Sequence, residues 1–311
     1  IQSPAMTFSG FHRSAAAVLA AAALALSATI PTRRGDDIPF EKHQIDIGAN
    51  ETCAFADING DGRLDIVSGE NWFEAPSWTR HHFRDLNFFN NYIDAFSELP
   101  LDVDGDGAID IVSATWGKKT LSWWRNPGAK AAASNGAWKE TVIEGAAPIE
   151  FAFLVDLNND GKAQEVLPQF GSDKQPLAWY ELKNGAFEKH AVSDRSYGHG
   201  IGAGDINKDG RNDIVTPRGW LEAPASPTAP GNWTFHSTWE FPTQISFMHV
   251  VDVNGDGRND VLFGYAHNYG LFWMEQQDGG KWKQNMIDDS WSQPHAISMV
   301  DWNRDGRIAF I

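Results

Sequence analysis

A nine-residue pattern of Asp, Asn and Gly occurs six times in the chain and has the chemistry of a cation site. Side-chain oxygens at positions 1, 3, 5 and 9, with the backbone carbonyl at position 7, can surround Ca²⁺, and Gly at position 6 permits the sharp turn that aims them inward. The third copy has Gln164 at position 9, where the neighbouring Glu165 can substitute, and Ala309 removes that ligand from the sixth copy. The residues predicted to bind Ca²⁺, those at position 7 through their carbonyl oxygens, are Asp57, Asn59, Asp61, Arg63 and Asp65; Asp102, Asp104, Asp106, Ala108 and Asp110; Asp156, Asn158, Asp160 and Lys162; Asp205, Asn207, Asp209, Arg211 and Asp213; Asp252, Asn254, Asp256, Arg258 and Asp260; and Asp301, Asn303 and Asp305.

The segments beside these loops exclude an EF-hand. An EF-hand requires a bidentate Glu at position 12 of its loop and a helix on either side. Strand-like runs flank the loops instead, as in residues 52–57 before the first loop and residues 65–68 after it. An ordinary Asx turn without metal remains the alternative for any single copy, whereas six copies in register favour Ca²⁺.

The spacing of the loops predicts the architecture that must position them. Successive copies lie about 50 residues apart, a period typical of a propeller or a solenoid. An aromatic triplet such as residues 72–74 follows most loops, and a second aromatic motif such as residues 78–81 follows after a turn. Each unit therefore predicts four strands: one before the loop, one after it, and one at each aromatic motif. The fold class predicted is all-β, a β-propeller of four-stranded blades with calcium loops between the first and second strands, whose repeated aromatic residues pack between blades.

The two ends of the chain carry further expectations. Residues 40–45 have the pattern of a fourth strand and are expected to complete the last blade, while the sixth unit stops soon after its loop. About five and a half blades of a ring of six or seven are therefore expected, in a C-terminally truncated propeller domain over residues 38–311. Residues 1–32 are interpreted as upstream residues plus a signal peptide that starts at Met6 and is cleaved near Ala28, which predicts a secreted, periplasmic or cell-surface protein.

The loops and the four-strand units resemble the FG-GAP/VCBS-like family of calcium-loop propellers over about residues 40–311. The resemblance implies a calcium-binding β-propeller. Members of that family act in adhesion, in carbohydrate binding and, with extra residues, in lyase or dehydratase chemistry. The resemblance therefore implies a fold and a metal but does not choose among these functions.

A second group of residues is expected at the mouth of the central channel opposite the loops. The first strand of each blade lines the channel, and the residues six positions before the loops are Glu51, Phe96, Glu150, His199, Ser246 and His295. Loops between second and third strands, and the long connection over residues 84–94, reach the same face. The residues expected to bind a ligand there are Glu51, Glu150, His295, Phe88, Phe89, Tyr92, Trp116 and Lys118, and the catalytic candidates are His199, His267, Arg218 and Tyr269.

Three classes of function fit these residues. Aromatic rings and mixed polar groups can bind a sugar, so carbohydrate is the expected ligand. A lyase or dehydratase acting by β-elimination would take its cation from Arg218 or Lys118, its base from His199 or His267 and its acid from Tyr269 or Tyr197. Alternatively, His199, His295 and Glu150 could hold a transition metal. An adhesion scaffold that binds a protein partner is the third class, and it needs no convergent His and Glu residues.

The composition argues against a nucleic-acid partner, a membrane span and an internal disulfide. The chain has 311 residues, 42% of them hydrophobic, and a formal net charge of −16, much of which comes from the loop Asp residues. Because no basic stripe is present, nucleic acid is not expected as a partner. The N-terminal apolar run is too short for a membrane span. The single Cys53 cannot form an internal disulfide and is expected to be a buried small side chain.

Overall fold

The computed structural model describes residues 41–145, 147–301, 304, 309 and 310, the last by its backbone alone. The predicted signal peptide and upstream residues (1–32), residues 38–40 of the predicted propeller domain, and Asn303 and Asp305 of the sixth loop lie outside the described residues.

Five four-stranded antiparallel sheets follow one another along the described chain, and each is a meander whose strands pair in sequence order. The strands of the first two sheets, with a two-stranded hairpin between them, are β1 (Ala54–Ala56), β2 (Asp65–Ser68), β3 (Asn71–Glu74) and β4 (Thr79–His82); β5 (Phe88–Phe89) and β6 (Tyr92–Ile93); β7 (Ser97–Leu101), β8 (Asp110–Ala114), β9 (Thr120–Arg125) and β10 (Lys139–Gly145). The remaining strands are β11 (Ile149–Val155), β12 (Glu165–Phe170), β13 (Leu177–Lys183) and β14 (Ala186–Ser193); β15 (Gly202–Gly204), β16 (Asp213–Thr216), β17 (Gly219–Glu222) and β18 (Thr234–His236); β19 (Ile245–Val251), β20 (Asp260–Tyr265), β21 (Tyr269–Gln277) and β22 (Lys281–Ser292); and the two-stranded sheet of β23 (Met299–Val300) and β24 (Ala309–Phe310).

Every loop of the nine-residue pattern connects the first strand of a sheet to the second. The predicted all-β propeller of four-stranded blades is confirmed, and each sheet is one blade. The expected strand over residues 40–45 is wrong, because residues 41–50 form no strand. A strand needs a partner for its backbone amides, and no described strand pairs with this segment.

In the second to fifth blades, the second strand is the most deeply buried. β8, β12 and β16 are buried at every position, and they carry apolar runs such as Ile111–Val112. A strand covered on both faces is apolar throughout rather than alternating. The aromatic residues of the third strands Trp72, Trp123, Trp179 and Trp220 are buried as well, as predicted for packing between blades.

Three of the third-strand Trp residues stack on a histidine of the fourth strand. The ring centroids of Trp72 and His81 are 4.2 Å apart, and those of Trp220 and His236 are 4.1 Å apart. Trp179 stacks on His190 in the same way. These repeated histidines therefore belong to the cores of the blades.

The first strands of successive blades lie side by side. β1 contacts β7, β7 contacts β11, and β15 contacts β19. Ile201 forms a parallel bridge with Phe247, and the backbone N–H of Met248 donates to the carbonyl of Ile201 at 3.1 Å. These contacts bring the starts of the first strands together, at the end of the blades away from the acidic loops.

Cys53 is exposed rather than buried, so that expectation is wrong. Cys53 lies just before β1, two residues ahead of Phe55. Phe55 is 61% exposed, whereas the next residue, Ala56, is buried. Alternate side chains of a strand point to opposite faces, and Cys53 and Phe55 share the face that is open to solvent.

A four-residue helix, α1 (Ala129–Ala132), interrupts the connection between β9 and β10 and was not expected from an all-β pattern. Within the described part of the chain, no helix combines the length and the apolar character needed to cross a bilayer.

We predict that Gly202→Ala destabilises the propeller by about 3 kcal/mol, since overpacked sites that cannot relax reach this size. A Cβ at this position would lie 1.7 Å from the carbonyl oxygen of Met248, a backbone atom held by the neighbouring strand. The matched control is Gly145→Ala, another strand glycine, where a Cβ would meet no atom within 4 Å. Urea unfolding of both variants checks the prediction, and equal midpoints for the two would contradict the close approach of the first strands.

Candidate functional site

The acidic loops bring side-chain oxygens together at one end of the blades. One carboxylate oxygen from each of Asp102, Asp104 and Asp106 lies within 4.8 Å of the others. Such an all-oxygen donor set suits a hard cation. The described residues therefore fit a metal ion in the second loop, and the other loops repeat the same pattern.

The backbone takes the same form in every copy of the loop. The fourth residue has a positive φ in all six, including the non-glycine residues Asn159, Lys208 and Arg304. In the five loops whose sixth residue is described, its φ lies between 85° and 89°, a conformation that Gly adopts without strain. The loop shape thus depends on position more than on the residue at position 4.

The carboxylate at position 9 is buried against the backbone. Asp213 accepts the N–H of Ile206 at 3.1 Å and the N–H of Ala223 at 2.8 Å, and Asp65, Asp110 and Asp260 make the equivalent pairs of bonds. Burial, assisted by the neighbouring loop carboxylates, raises the pKa of Asp110 and Asp213 to about 6. A cation held in the loop would favour the charged form of these groups.

Glu165 takes this place in the third loop, where position 9 is Gln164. Its Oε2 accepts the N–H of Leu157 at 3.0 Å, and its Oε1 accepts the amide of Asn158 at 3.2 Å. Burial raises the pKa of Glu165 to about 7. The longer side chain therefore reaches the same backbone amide from one residue later.

A contact that the sequence pattern did not predict joins two of the loops to the Trp–His stacks. The amide of Asn59, at position 3 of the first loop, lies 3.3 Å from Oε1 of Glu74, whose Oε2 lies 2.9 Å from Nε2 of His81. Asn158 and Glu181 repeat the contact in the third blade at 3.4 Å. When the Asn side-chain N–H₂ donates to the glutamate, the Asn side-chain oxygen remains free to face the inside of the loop, where the predicted cation would bind.

A cluster of three histidines and one glutamate forms at the other end of the first strands. Glu150 lies in β11, His199 precedes β15, His267 lies in the turn from β20 to β21, and His295 precedes β23. One ligand atom from each of the four lies within 4.8 Å of all the others. Side chains from four blades thus meet in one place, which we call the His–Glu cluster.

Glu150 is at the centre of the His–Glu cluster. Its Oε2 lies 2.8 Å from Nε2 of His199, and its Oε1 lies 3.8 Å from Nε2 of His295. The ring of His267 lies 4.5 Å from that of His295 and 5.0 Å from that of His199, measured between centroids. Nδ1 of His199 is 2.8 Å from the carbonyl oxygen of Ile245, to which it must donate because a carbonyl only accepts.

The charges within the cluster shift its pKa values in opposite directions. Burial alone would lower the pKa of His199, but the contact and charge of Glu150 outweigh it and raise the pKa. Burial alone would likewise raise the pKa of Glu150, whereas His199, His295 and His267 lower it. The pKa of His267 is lowered by burial and by the charges of His295 and His199. Glu150 and His199 therefore favour an ion pair, and His267 favours its neutral form.

Aromatic rings form the floor of the cluster. The buried ring of Phe151 meets the ring of His199 edge-on at 5.0 Å and that of Phe247 at 5.0 Å. Phe153 packs on Phe247 at 4.6 Å. These rings lie on the first strands β11 and β19, and the sequence pattern did not predict them at this site. They place apolar surface directly beside the His199 ring.

Glu51 belongs electrostatically to the same group. Burial raises the pKa of its carboxyl, the charge of Glu150 adds to the shift, and the charge of His295 opposes it. Of the six positions expected at the channel mouth, four therefore interact with one another. Ser246 instead is fully buried and accepts the N–H of Gly264 at 2.9 Å.

Several predicted residues make other contacts. Arg218 lies 3.6 Å from Asp173, and Lys118 lies 2.6 Å from Glu140. Tyr269 is 59% exposed. No hydrogen bond, ion pair or ring contact between described residues joins these three to the His–Glu cluster. Tyr197, the other candidate acid, is buried, with its hydroxyl 3.0 Å from that of Ser193, so it is part of the blade core.

The predicted aromatic residues divide into exposed and packed rings. Phe88 is 67% exposed and Tyr92 is 44% exposed, both on the β5–β6 hairpin. Phe89 packs over Gly117, and the ring of Trp116 packs over Gly171, where added Cβ atoms would lie at 3.0 and 2.7 Å. Phe88 and Tyr92 are therefore the rings of this set most open to a ligand.

Buried charges hold the connection that carries this hairpin. Arg84 forms an ion pair with Glu98 in which both side chains are fully buried, and its Nε donates to the carbonyl of Gly69 at 2.8 Å. At the other end, the buried carboxylate of Asp94 accepts three successive backbone N–H groups, those of residues 116, 117 and 118. The exposed rings thus project from an anchored segment.

Comparison with known families agrees with the repeat structure. The FG-GAP-like repeat model matches residues 102–167, 156–216 and 252–310, which together make up more than half of the chain. The chain belongs to the FG-GAP-like repeat family. Each matched segment of this FG-GAP-like protein contains at least one acidic loop and the strands beside it.

Solved structures similar to this FG-GAP-like protein come from different functional classes. An Agrocybe aegerita lectin that recognises non-reducing terminal N-acetylglucosamine has 18% identity and a TM-score of 0.47, covering 78% of this chain and 67% of its own. A V. cholerae biofilm matrix protein has 16% identity and a TM-score of 0.47, and the match covers 81% of this chain and 41% of the matrix protein. A Bacillus licheniformis rhamnogalacturonan lyase has 13% identity and a TM-score of 0.44, and the match covers 81% of this chain and 52% of the lyase. The chain thus spans about half the length of the last two proteins. No curated protein sequence matches the chain.

We predict that Glu150→Gln lowers the pKa of His199, because it removes the carboxylate that outweighs burial. Proton NMR of the imidazole resonances across a pH titration measures the pKa of His199, in protein stripped of transition metals with Ca²⁺ retained.

Because the pKa of His199 is raised in the folded protein, this residue also makes stability depend on pH. Its contribution to the free energy of unfolding is complete below the pKa of an unfolded histidine and is lost as pH rises through the folded value. Glu140→Gln, which alters a carboxylate paired with Lys118, is the control. An unchanged titration of His199 in Glu150→Gln would disprove the ion pair.

Proposed function

We propose that this FG-GAP-like propeller is an exported, calcium-stabilised protein that binds carbohydrate at the end of its blades opposite the acidic loops. The observation that carries the proposal is the convergence of Glu150, His199, His267 and His295 from four blades. The alanine-rich run near the N-terminus supports export, and millimolar extracellular Ca²⁺ keeps weak loop sites filled.

The chemistry of this end suits a sugar. Binding sites for small polar ligands combine apolar walls with a few convergent polar groups. Imidazole and carboxylate groups can donate to and accept from hydroxyls, and the Phe151 and Phe247 rings beside them are apolar. The exposed rings of Phe88 and Tyr92, which precede the first strand of the second blade, offer faces on which the C–H side of a pyranose can stack.

β-Elimination is a second candidate function, and His267 is the observation that favours it. Its ring is exposed, its pKa is lowered, and it has no hydrogen-bond partner among the described residues. A neutral imidazole can take the proton next to a uronate carboxylate. The electron pair then forms a carbon–carbon double bond as the bond to the β-oxygen breaks, and the departing oxygen takes a proton from an acid such as Tyr269. The positive charge of His199 beside Glu150 would favour the anionic intermediate.

We predict that the full chain is retained on an insoluble glycan and that Tyr92→Ala weakens the affinity about tenfold. A tenfold change corresponds to about 1.4 kcal/mol, which is the size expected for the loss of one aromatic contact. A polysaccharide panel that includes uronate polymers measures retention and the ultraviolet absorbance of unsaturated products. Absorbance that His267→Ala abolishes supports elimination, whereas retention without absorbance supports a binding module. His236→Ala is the control, because His236 stacks on Trp220 within its own blade. Affinity for a surface protein with no retention on any glycan would instead support an adhesion scaffold.

We predict that Ca²⁺ raises the melting temperature of the full chain. Without cations, each loop holds like charges a few ångströms apart, and saturation of a site at one hundred times its dissociation constant stabilises the fold by about 2.7 kcal/mol. Thermal unfolding in millimolar Ca²⁺ and in EGTA measures the effect. Asp104→Asn should reduce the difference, while Asp194→Asn, at an exposed position outside the loops, should not. Equal melting temperatures in the two solutions would rule out calcium stabilisation.

A further inference from the structure

We propose that Glu150, His199, His267 and His295 bind one divalent transition metal ion of the Zn²⁺ class. This site is separate from the acidic loops in both position and donor chemistry. It uses the same four residues on which the proposed function rests, with His267 as a metal ligand rather than as the base of a β-elimination. It is measured without any carbohydrate, so either proposal can fail while the other holds.

The donor atoms are already close enough for one ion. Bonds of about 2.0–2.2 Å from a metal to imidazole nitrogen and carboxylate oxygen place the donors about 3 to 4 Å from one another. One donor atom from each of the four residues lies within 4.8 Å of all the others. Side-chain rotations that move the donor atoms by a few tenths of an ångström to about one ångström would complete the coordination. The exposed ring of His267 can move most freely to close it.

Two of the histidines are oriented as metal ligands. Nδ1 of His199 faces the carbonyl oxygen of Ile245 at 2.8 Å, and Nδ1 of His295 faces the carbonyl oxygen of Gln293 at 3.3 Å. Histidines that bind metals commonly donate their second ring N–H to a carbonyl, which fixes the tautomer and leaves the other nitrogen as the ligand. In both residues the remaining nitrogen, Nε2, is the one that faces Glu150.

A buried nitrogen within the cluster lacks a hydrogen bond. The side chain of His199 is 7% exposed, and its Nε2 has no partner with hydrogen-bond geometry although Oε2 of Glu150 is 2.8 Å away. With the Nδ1 proton donated to Ile245, a neutral ring places a lone pair opposite a carboxylate oxygen. Two such electron-rich atoms need a cation between or beside them, and this cation is either a proton on Nε2 or a metal ion.

The donor set identifies the class of metal. Three imidazole nitrogens and one carboxylate suit Zn²⁺ and its first-row neighbours, whereas Ca²⁺ and Mg²⁺ prefer oxygen donors. The Phe151 and Phe247 rings close the inner side, and the exposed His267 marks the side that solvent reaches. A metal ion there would supply a Lewis acid to an oxygen of a bound ligand.

A second group with metal-binding residue types is explained by the blade core. Glu181, Glu188 and His190 also have donor atoms close together. However, His190 stacks on Trp179 and its Nε2 lies 3.0 Å from Glu181, which repeats the arrangement of His81 and His236 in other blades. His190→Gln therefore serves as a background variant in the metal experiment.

The experiment is a titration of the untagged full chain, stripped of transition metals and kept in Ca²⁺, with Zn²⁺ by calorimetry and with Co²⁺ by visible absorption. We expect one tight equivalent of Zn²⁺ per chain and the d–d bands of nitrogen-ligated Co²⁺. His199→Gln and His267→Gln should each weaken Zn²⁺ binding at least about tenfold, while His236→Gln and His190→Gln leave it unchanged. Binding should weaken as pH falls, because the metal displaces protons from imidazoles.

Two results would overturn the metal site. One is the absence of tight Zn²⁺ binding by the wild-type chain, which would assign the cation beside Glu150 to the proton of a His199 imidazolium. The other is wild-type affinity in the His199 and His267 variants, which would place bound Zn²⁺ elsewhere. Circular dichroism and melting in Ca²⁺ check folding. If His199→Gln fails to fold without its bond to Ile245, the exposed His267→Gln decides.

Discussion

In four of the five described four-stranded blades, one buried carboxylate accepts backbone N–H groups from two distant parts of the repeat. In the fourth blade, Asp213 joins Ile206, at the start of the acidic loop, to Ala223, just after the third strand. Removing such an acceptor leaves two buried donors unsatisfied, at a cost of about 1–3 kcal/mol each. The third blade keeps the loop bond with Glu165, a longer side chain one residue later. The requirement is therefore for an acceptor at one point in space, which different residues can supply.

This carboxylate also links the loop to the rest of the molecule. It holds the loop against the second and third strands, and the loop in turn determines where the first strand ends. Because β11 runs from Ile149 to Val155, Glu150 lies about 20 Å from the acidic loop at the strand's other end, at about 3.3 Å per residue. Oxygen donors and imidazole donors are thereby kept at opposite ends of the blades. A hard cation and a transition metal would not compete for one site.

The imidazole end differs from the loop end in its electrostatics. The loops concentrate negative charge and repeat it in every blade. The His–Glu cluster occurs once among the described residues and balances a carboxylate against three imidazole rings. Glu150 stabilises the charged form of His199 and raises its pKa, whereas burial and the charges of His295 and His199 lower the pKa of His267. One site therefore shifts the pKa values of two neighbouring imidazoles in opposite directions. Such pairs of groups with divergent pKa values are typical of functional sites.

The sequence by itself determined the repeat, the four strands of each blade, and the position of every acidic loop between first and second strands. It also pointed to Glu165 as the residue in place of the ninth-position Asp, and the structure shows it accepting the equivalent backbone N–H. These features follow from local patterns, since strand alternation, turn residues and burial act within one repeat. The same local reasoning failed for residues 40–45 and for Cys53, where the outcome depended on whether another strand covered them.

Only the tertiary structure decided which residues meet. The sequence placed Glu150, His199 and His295 at one face by symmetry and His267 at the same face through its loop. Their convergence within 4.8 Å and the Phe151 and Phe247 rings beside them were decided by packing. Packing also paired Arg218 with Asp173 and Lys118 with Glu140. The reason is physical: a repeat pattern specifies the backbone of one blade, whereas convergence at the axis depends on how neighbouring blades are rotated and spaced. Contacts between first strands, such as Gly202 against Met248, set that spacing, and no pattern within a single blade contains it.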